Sequence, residues 1–361
     1  MQYKFLSRVD AAQRNLNNIL HYVKKHGPIS RTDIWNGMNI SRASVTQLVQ
    51  QLQESGLIVE TGEGESTGGR KPRFIMFNGA ARKMYAFDWS SHSLYLIDLD
   101  GEVLFEKALN FDTDIQPKAF AAMLLREIEN IQAMELCAPQ DVIGFALTLP
   151  GLIDSRHCSV VYSVELGWQN VNVQELFSES FDGHVYLERT GNMLALGEHV
   201  FGQAKKESHF QLFVLDASGI GVSTVVRGDC QHGMNYMHGE LGHIKLPENV
   251  FCSCGQVGCL EAVVNDLLLR SGGAITNKIL EYLAIGVSTA INISDVGEAI
   301  LVGSFVNAMT LEQRRRLAAG IRAKVTRQQQ RKLEIRFSQN TRQLALKGLS
   351  TYVFDRFFAV D

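Results

Sequence analysis

The 361-residue chain is 45% hydrophobic and 20% charged, with a formal net charge of −3, a profile that buries a full core and excludes a disordered or low-complexity chain. No apolar run approaches the ~20 residues that cross a bilayer, and MQYKFLSRVD has neither an apolar h-region nor a small-residue cleavage site, so a cytoplasmic protein without membrane insertion is expected. Six scattered cysteines then point to free thiols or a metal, not to a disulfide framework.

The charge is unevenly spread. Residues 1–83 hold 12 Lys and Arg against 6 Asp and Glu, and the rest hold 23 against 32. A basic head on an acidic body is what a nucleic-acid-binding segment shows; chance clustering is the alternative, and the pattern inside the segment decides. Leu16, Ile19, Leu20 and Val23 recur at helical spacing, and Gly27-Pro28 stops that helix. Ser30 with Asp33 three residues on is a capping-box pattern for a short second helix. GMN at 37–39 makes a turn, and Ser41 caps a third helix with Val45, Leu48, Val49 and Leu52 on its buried face and Gly56 at its end. Two β-prone runs follow, GLIVETG and RFIMFN, around the loop EGESTGGRKPR.

Three helices and a hairpin make a winged helix-turn-helix, expected over residues 1–78. Its third helix would enter the major groove, with Ser41, Arg42, Ser44, Thr46 and Gln47 near the base edges. At the wing tip Arg70, Lys71 and Arg73 suit phosphates or a narrow minor groove. Operator DNA is the partner this implies; the alternative is a helical triplet that docks on protein beside a solvated loop.

From Lys83 the texture changes. KMYAFDWSSHSLYLIDLDGEVLFEKAL reads as three strands with an Asp-Gly turn, and an amphipathic helix follows around Phe120–Ile131. DVIGFALTLPGLID is a buried strand running into a Pro-Gly turn; HVYLERTGNMLALGEHVFG passes from strand to helix. FQLFVLDASGIGVSTVVRGD is two strands joined by a Gly-rich turn at Ser218–Gly221, and EAILVGSF is a late strand. The alternation makes the body α/β. RRR at 314–316 and RQQQRK at 327–332 lie in a helical region and read as solvated faces.

FCSCGQVGCLE (251–261) places Cys252, Cys254 and Cys259 within eight residues, nine after His243. One His and three Cys form a closed tetrahedral set, and glycines at 255 and 258 let the chain wrap an ion. Spacing alone leaves a cluster of reduced thiols as the alternative.

The motifs LPGLID, ELGW, ALGEHVFG, SGIG, GELGH and CSCGQVGCLE, in this order, resemble the ROK family of sugar kinases and sugar-responsive repressors. With a winged helix in front, the chain resembles the repressor branch, of the Mlc and NagC type. The resemblance spans nearly the whole chain. It implies two actin-like ATPase α/β lobes (79–190 and 191–361), a C-terminal helix returning to the first lobe, and a structural Zn2+ in the loop 243–259. It also implies a homodimer or homotetramer, responding to a sugar, a sugar phosphate or a regulatory protein.

Departures from the family pattern argue against an enzyme. The family's first phosphate turn, Asp-x-Gly-Gly-Thr, is here Asp88-Trp89-Ser90-Ser91-His92. The Asn-Asp pair eight residues before the Gly-Glu of ALGE is Arg189-Thr190. A threonine is no general base near neutral pH, and general-base terms are worth roughly 10²–10⁴ in rate. Glu188 next door is the one carboxylate that could substitute, and an active sugar kinase with an accessory DNA-binding head is the rival it sustains. Family sugar contacts match Glu240, His243 and Glu261, while the Asn common before Leu-x-Trp is Glu165. Arg189 suits a phosphate or carboxylate on the effector, or pairs with Glu165 or Glu188 and fills the site. About 30 residues usual after GCLEA are missing near 265–280, which puts lobe closure or an oligomer contact in question.

Overall fold

A computed structural model describes residues 8–63, 73–204, 209–339 and 341–359. The head has helices α1 (Arg8–His26), α2 (Arg31–Met38) and α3 (Arg42–Glu54), and strands β1 (Ile29–Ser30), β2 (Ile58–Glu63) and β3 (Arg73–Phe77). Its caps are made as the sequence reads. Ser30 Oγ accepts from the Asp33 amide at 3.2 Å while Asp33 accepts from the Ser30 amide at 2.9 Å, satisfying two orphan donors of α2 at once. Asn39, in the left-handed region at φ 56°, turns the chain, and Ser41 Oγ accepts from the Ser44 amide at 3.1 Å. Val45, Leu48, Val49 and Leu52 are buried against Ile19, Leu20, Val23 and Ile34. The sequence reading lacks β1, which is too short to show a period; it pairs with β3 through Ile29↔Ile75.

The first body sheet has the order β11-β7-β4-β5-β6. Strands β4 (Lys83–Asp88), β5 (Ser93–Asp98) and β6 (Val103–Ala108) form an antiparallel meander. Helix α4 (Pro117–Gln132) then crosses to β7 (Val142–Thr148), parallel to β4. A small sheet of β8 (Leu152–Asp154), β9 (Ser159–Ser163) and β10 (Trp168–Asn172) and the short α5 (Val173–Phe177) precede β11 (Val185–Glu188), parallel to β7.

Helix α6 (Thr190–Val200) leads to the second sheet, of order β14-β13-β12-β15-β16. Its strands are β12 (His209–Asp216), β13 (Gly219–Val226), β14 (Asp229–Cys230), β15 (Glu298–Val302) and β16 (Glu334–Phe337). The long α7 (Leu260–Arg270) and α8 (Asn277–Ser294), then α9 (Ser304–Ala308), α10 (Leu311–Lys324) and α11 (Gln328–Arg331), complete this half before the C-terminal α12 (Thr341–Phe357). The expected turn at Ser218–Gly221 is shorter than read. Gly219 already pairs with Asp216, because a two-residue hairpin loop matches the twist of the flanking strands.

Helices α6 and α12 touch backbone to backbone. A Cβ on Gly197 would lie 2.0 Å from the Leu344 carbonyl oxygen, and one on Gly348 would lie 1.9 Å from that of Met193, so only glycine permits the crossing. Along its other faces α12 joins the first sheet to the head. Leu346, Leu349, Tyr352, Val353 and Phe354 share one core with Met84, Tyr95 and Ile97 of the body and with Ile19, Leu20, Val23 and Phe77 of the head. Asn17 donates to the Ala359 carbonyl at 2.9 Å, and Phe354 meets Phe77 edge-on at 5.3 Å. The Lys24 ammonium lies 3.7 Å over the Phe354 ring. Burial pushes this amine down to about 8, against the pull of Asp355, Asp100 and Asp98, while the ring face favours its charged form.

The shared core makes a direct test. Phe354 is 1% exposed, and truncating such a phenylalanine costs about 3–5 kcal/mol. Phe354→Ala is expected to lose that much in denaturant unfolding, and to be cleaved first in the head under limited proteolysis. Equal stability and an equal digestion pattern would show that head and body do not share a core.

Candidate functional site

Three surfaces carry chemistry: the outer face of α3, the cleft at the end of β11, and the cysteine-rich loop after β14. On α3, residues 42, 43, 46, 47 and 50 form one exposed row opposite the buried one. The Arg42 guanidinium lies 4.0 Å over the Trp35 ring, which limits its rotamers and presents it at the start of the helix. Thr46 Oγ1 donates to the Arg42 carbonyl at 2.9 Å. Gln47 belongs to the row, and so does Gln50, which the sequence reading omits although helical spacing places it there. The Ser41 and Ser44 hydroxyls are 2.8 Å apart and are engaged in the cap. Arg73 donates to Glu60 at 3.0 Å, so it braces the base of the hairpin. Arg70 and Lys71 lie outside the described residues.

In the cleft, Glu188 ends β11 and is 1% exposed. Its carboxylate accepts from the Arg189 amide at 2.8 Å and from Asn192 Nδ2 at 2.9 Å, and lies 2.6 Å from His232 Nε2. Asn192 in turn accepts from Ser223 Oγ at 2.9 Å. Burial alone would push the Glu188 carboxyl up, but His232, the Arg189 amide and Asn192 override it and hold it below the ordinary range. With both oxygens engaged, Glu188 is not poised to take a proton from a substrate. Thr190 begins α6 beside it.

The Asp88–His92 turn is filled. Asp88 accepts from Thr148 Oγ1 at 2.9 Å and Ser90 Oγ at 2.6 Å. The Trp89 indole N–H donates to Glu165 at 2.9 Å, and the ring packs against His92 and Phe111. Trp89 is 6% exposed and belongs to the aromatic core of this half, and the turn has no glycine to let a phosphate approach its backbone closely.

Arg189 donates to Glu240 Oε1 at 3.1 Å and to the His238 carbonyl at 2.7 Å. It therefore pairs with Glu240 and not with the side chain of Glu165 or Glu188, because the loop before the 3₁₀ turn at Leu241–His243 brings Glu240 across to the helix start. Glu240 lies 3.8 Å from His243 Nε2, and Glu261 lies 3.7 Å from His243 Nδ1. The four expected effector residues thus form one chain of contacts. Burial pushes the Glu240 carboxyl up, with Arg189 opposing. The Asp154 carboxylate of β8 lies near the Tyr236 hydroxyl of the same loop and pushes that phenol up. His232, Tyr236 and Trp35 escaped sequence reasoning; 44 residues separate His232 from Glu188, and no local pattern marks such a pair.

The donor atoms of His243, Cys252, Cys254 and Cys259 all lie within 4.8 Å of one another. Cys254 Sγ is 3.7 Å from Cys259 Sγ, and Cys252 Sγ is 3.8 Å from His243 Nδ1. A metal–sulfur distance of ~2.3 Å in a tetrahedron puts sulfurs about 3.8 Å apart, so the set fits a metal ion. Lys245 Nζ, 3.0 Å from Cys259 Sγ, offsets the negative charge of three thiolates. Gly258, at φ 76°, lets the loop close: a Cβ there would lie 2.6 Å from the Leu246 carbonyl oxygen.

Comparison with known proteins agrees with this geometry. A family model described as the ROK family matches residues 91–272. The xylose repressor of Bacillus subtilis (strain 168) is 27% identical over 271 residues, 74% of this chain and 70% of that protein. The DNA-binding transcriptional dual regulator NagC of Escherichia coli (strain K12) is 28% identical over 286 residues, 78% of this chain and 68% of that one. In solved structures, a ROK family transcriptional regulator described as a homologue of the E. coli MLC protein superposes with TM-score 0.80 at 21% identity, over 97% of this chain and 98% of that one. The ROK hexokinase of Thermus thermophilus superposes with TM-score 0.58 at 21% identity, over 74% and 96%. The fold of two α/β lobes is thus shared with kinases, and the superposition on the regulator takes in the head as well.

Elemental analysis of protein purified without chelator is expected to find one transition-metal ion per chain, and Cys254→Ser to lose it; full retention in that variant would refute the ligand set. The Glu188 network predicts a pH effect. Its folded carboxyl lies below the unfolded ~4.3, so its stabilisation is complete above that value and is lost as pH falls through the lower folded one. Glu188→Gln is expected to be less stable by about 1–3 kcal/mol at pH 7, with a flatter acid limb in a melting series. An acid limb as steep as wild type would remove Glu188 from that role.

Proposed function

The chain belongs to the ROK family, and on that premise we propose that it is a DNA-binding transcriptional repressor of sugar-utilisation genes, without kinase activity. The observation that carries this reading is the exposed row on a capped third helix, in a chain whose relatives are named xylose repressor and NagC repressor. Residues 1–78 form the DNA-binding unit, with Ser41, Arg42, Ser44, Thr46, Gln47 and Gln50 toward the major groove. Arg70, Lys71 and Arg73 belong to the wing, Arg73 bracing its base. Residues 79–190 and 191–361 are the two lobes. A homodimer or homotetramer matches a two-fold operator.

The filled turn at Trp89, the Thr190 hydroxyl and the engaged Glu188 support the absence of phosphoryl transfer. The effector is a sugar, a sugar phosphate or a regulatory protein, met by Arg189, Glu240, His243 and Glu261. A carboxylate accepts two hydrogen bonds from vicinal hydroxyls, and a metal-bound imidazole keeps a second N–H to donate. The metal is Zn2+, held by His243, Cys252, Cys254 and Cys259. Four protein ligands leave no open position, so it would brace the turns carrying Glu240 and Glu261. Among the described residues no helix is long and apolar enough to cross a membrane, and the cytoplasm is the compartment that a repressor and reduced thiols require.

Binding to its own promoter region tests the reading. The wild type is expected to retard that duplex in a salt-dependent way. Arg42→Ala or Gln47→Ala should cost ~1–3 kcal/mol and relax the base preference, while Arg70→Ala should weaken all sequences alike and lower the salt slope by about 0.9. A shift that is absent, or indifferent to salt, would overturn it.

A further inference from the structure

The body is acidic except in one stretch. Residues 311–336 carry nine Lys and Arg against two Asp and Glu, whereas residues 84–310 and 337–361 carry 14 against 30. These are the charges that read in the sequence as solvated faces. In the fold four arginines of this stretch line a groove of about 620 Å³ between α10 and β16, the edge strand of its sheet. Arg314, Arg315 and Arg322 approach from α10 and Arg336 from β16, over a floor that includes Leu311 and Phe337.

The arginines are not equally occupied. Arg336 is held by Glu298 at 3.0 Å and Glu334 at 2.7 Å, and Arg314 donates to the Val306 carbonyl at 2.9 Å. Arg315 and Arg322 have neither an ion pair nor a side-chain hydrogen bond among the described residues. Leu311, at the start of α10, is 64% exposed.

We propose that this groove is a docking site for an acidic segment of a partner protein, anchored by an apolar side chain on the Leu311–Phe337 floor. Arg315 and Arg322, which have no carboxylate partner among the described residues, raise the local potential, and an anionic partner relieves their repulsion. Arginine is suited to this because its planar fork takes carboxylates in pairs. The floor decides between anions. Phosphates of a duplex have no use for an apolar surface, and α12, ~25 Å long at 1.5 Å per residue, separates this edge from the head. A second copy whose two-fold axis ran through the groove would set arginines against arginines.

The probe is a fluorescein-labelled peptide of twelve residues alternating Glu and Leu, with an all-Glu peptide and a 20-base-pair duplex of unrelated sequence as comparisons. The full-length protein is expected to bind the Glu/Leu peptide saturably, with affinity falling as salt rises. Arg315→Glu should weaken it at least tenfold and Leu311→Ala three- to tenfold. Both side chains are exposed, so both variants should keep the wild-type melting temperature and promoter binding. The proposal is overturned if the wild type does not bind, or if both variants bind within twofold of it. It is equally overturned if the all-Glu peptide or the duplex competes as well as the Glu/Leu peptide, which would mark a general polyanion surface, or if Arg315→Glu changes the oligomeric state, which would mark a contact between copies.

Discussion

The crossing of α6 and α12 at Gly197 and Gly348 is the contact on which the rest of the molecule leans. Two helix backbones in van der Waals contact leave no freedom to slide without a clash. Once fixed there, α12 presents its remaining faces to the first sheet and to α1, so the place of the head is set by a helix that belongs equally to both lobes. Tyr352 of the same helix donates to the Leu187 carbonyl at 3.2 Å, one residue before Glu188. The wall of the cleft and the seat of the head are therefore built on one rigid element. Any ligand that shifts the head must favour one arrangement of this helix over another.

The cleft belongs to a fold shared with kinases, and its polar groups are largely bonded to one another. Thr190 stands where the family pattern has a carboxylate, and three neighbouring carboxylates are committed: Asp88 to two hydroxyls, Glu188 to His232 and two N–H donors, Glu165 to the Trp89 indole. Each is held as an acceptor by its neighbours, and none is left as a free base beside an open phosphate turn. The cysteine-rich loop does the opposite kind of work. It collects donors from a short span of chain and, through Leu260 at the start of α7, fixes Glu261 against His243.

What was legible in the sequence was what short stretches of chain decide. Ser30 with Asp33, the cap at Ser41, the four buried residues of α3 and the three cysteines of one loop all act within a few residues, where spacing carries the information. The pairing of Arg189 was open, because its partner is decided by a loop fifty residues on. His232 on Glu188 and Tyr236 near Asp154 are hidden for the same reason, and Arg42 over Trp35, only seven residues apart, depends on how α2 and α3 cross, which spacing within either helix does not show. The shared core of head and body also lay beyond reach, since α12 reads as an ordinary C-terminal helix until its glycines are seen against α6. Of the arginines at 314–316, Arg315 and Arg316 are exposed while Arg314 is half-buried against the Val306 carbonyl, and only the edge strand beside them reveals that Arg314, Arg315 and Arg322 converge with Arg336.

The Arg189–Glu240 pair has a consequence for sensitivity. A site whose cation and carboxylate already satisfy each other carries its own internal competitor. An incoming ligand has to separate them before it gains either, and its apparent affinity falls by the fraction of time the pair is closed. A ligand met by these two residues would bind with its midpoint shifted to higher concentration by that factor. The size of that shift would follow from a 3.1 Å contact, and from how firmly the His238 carbonyl, 2.7 Å away, holds the arginine in place.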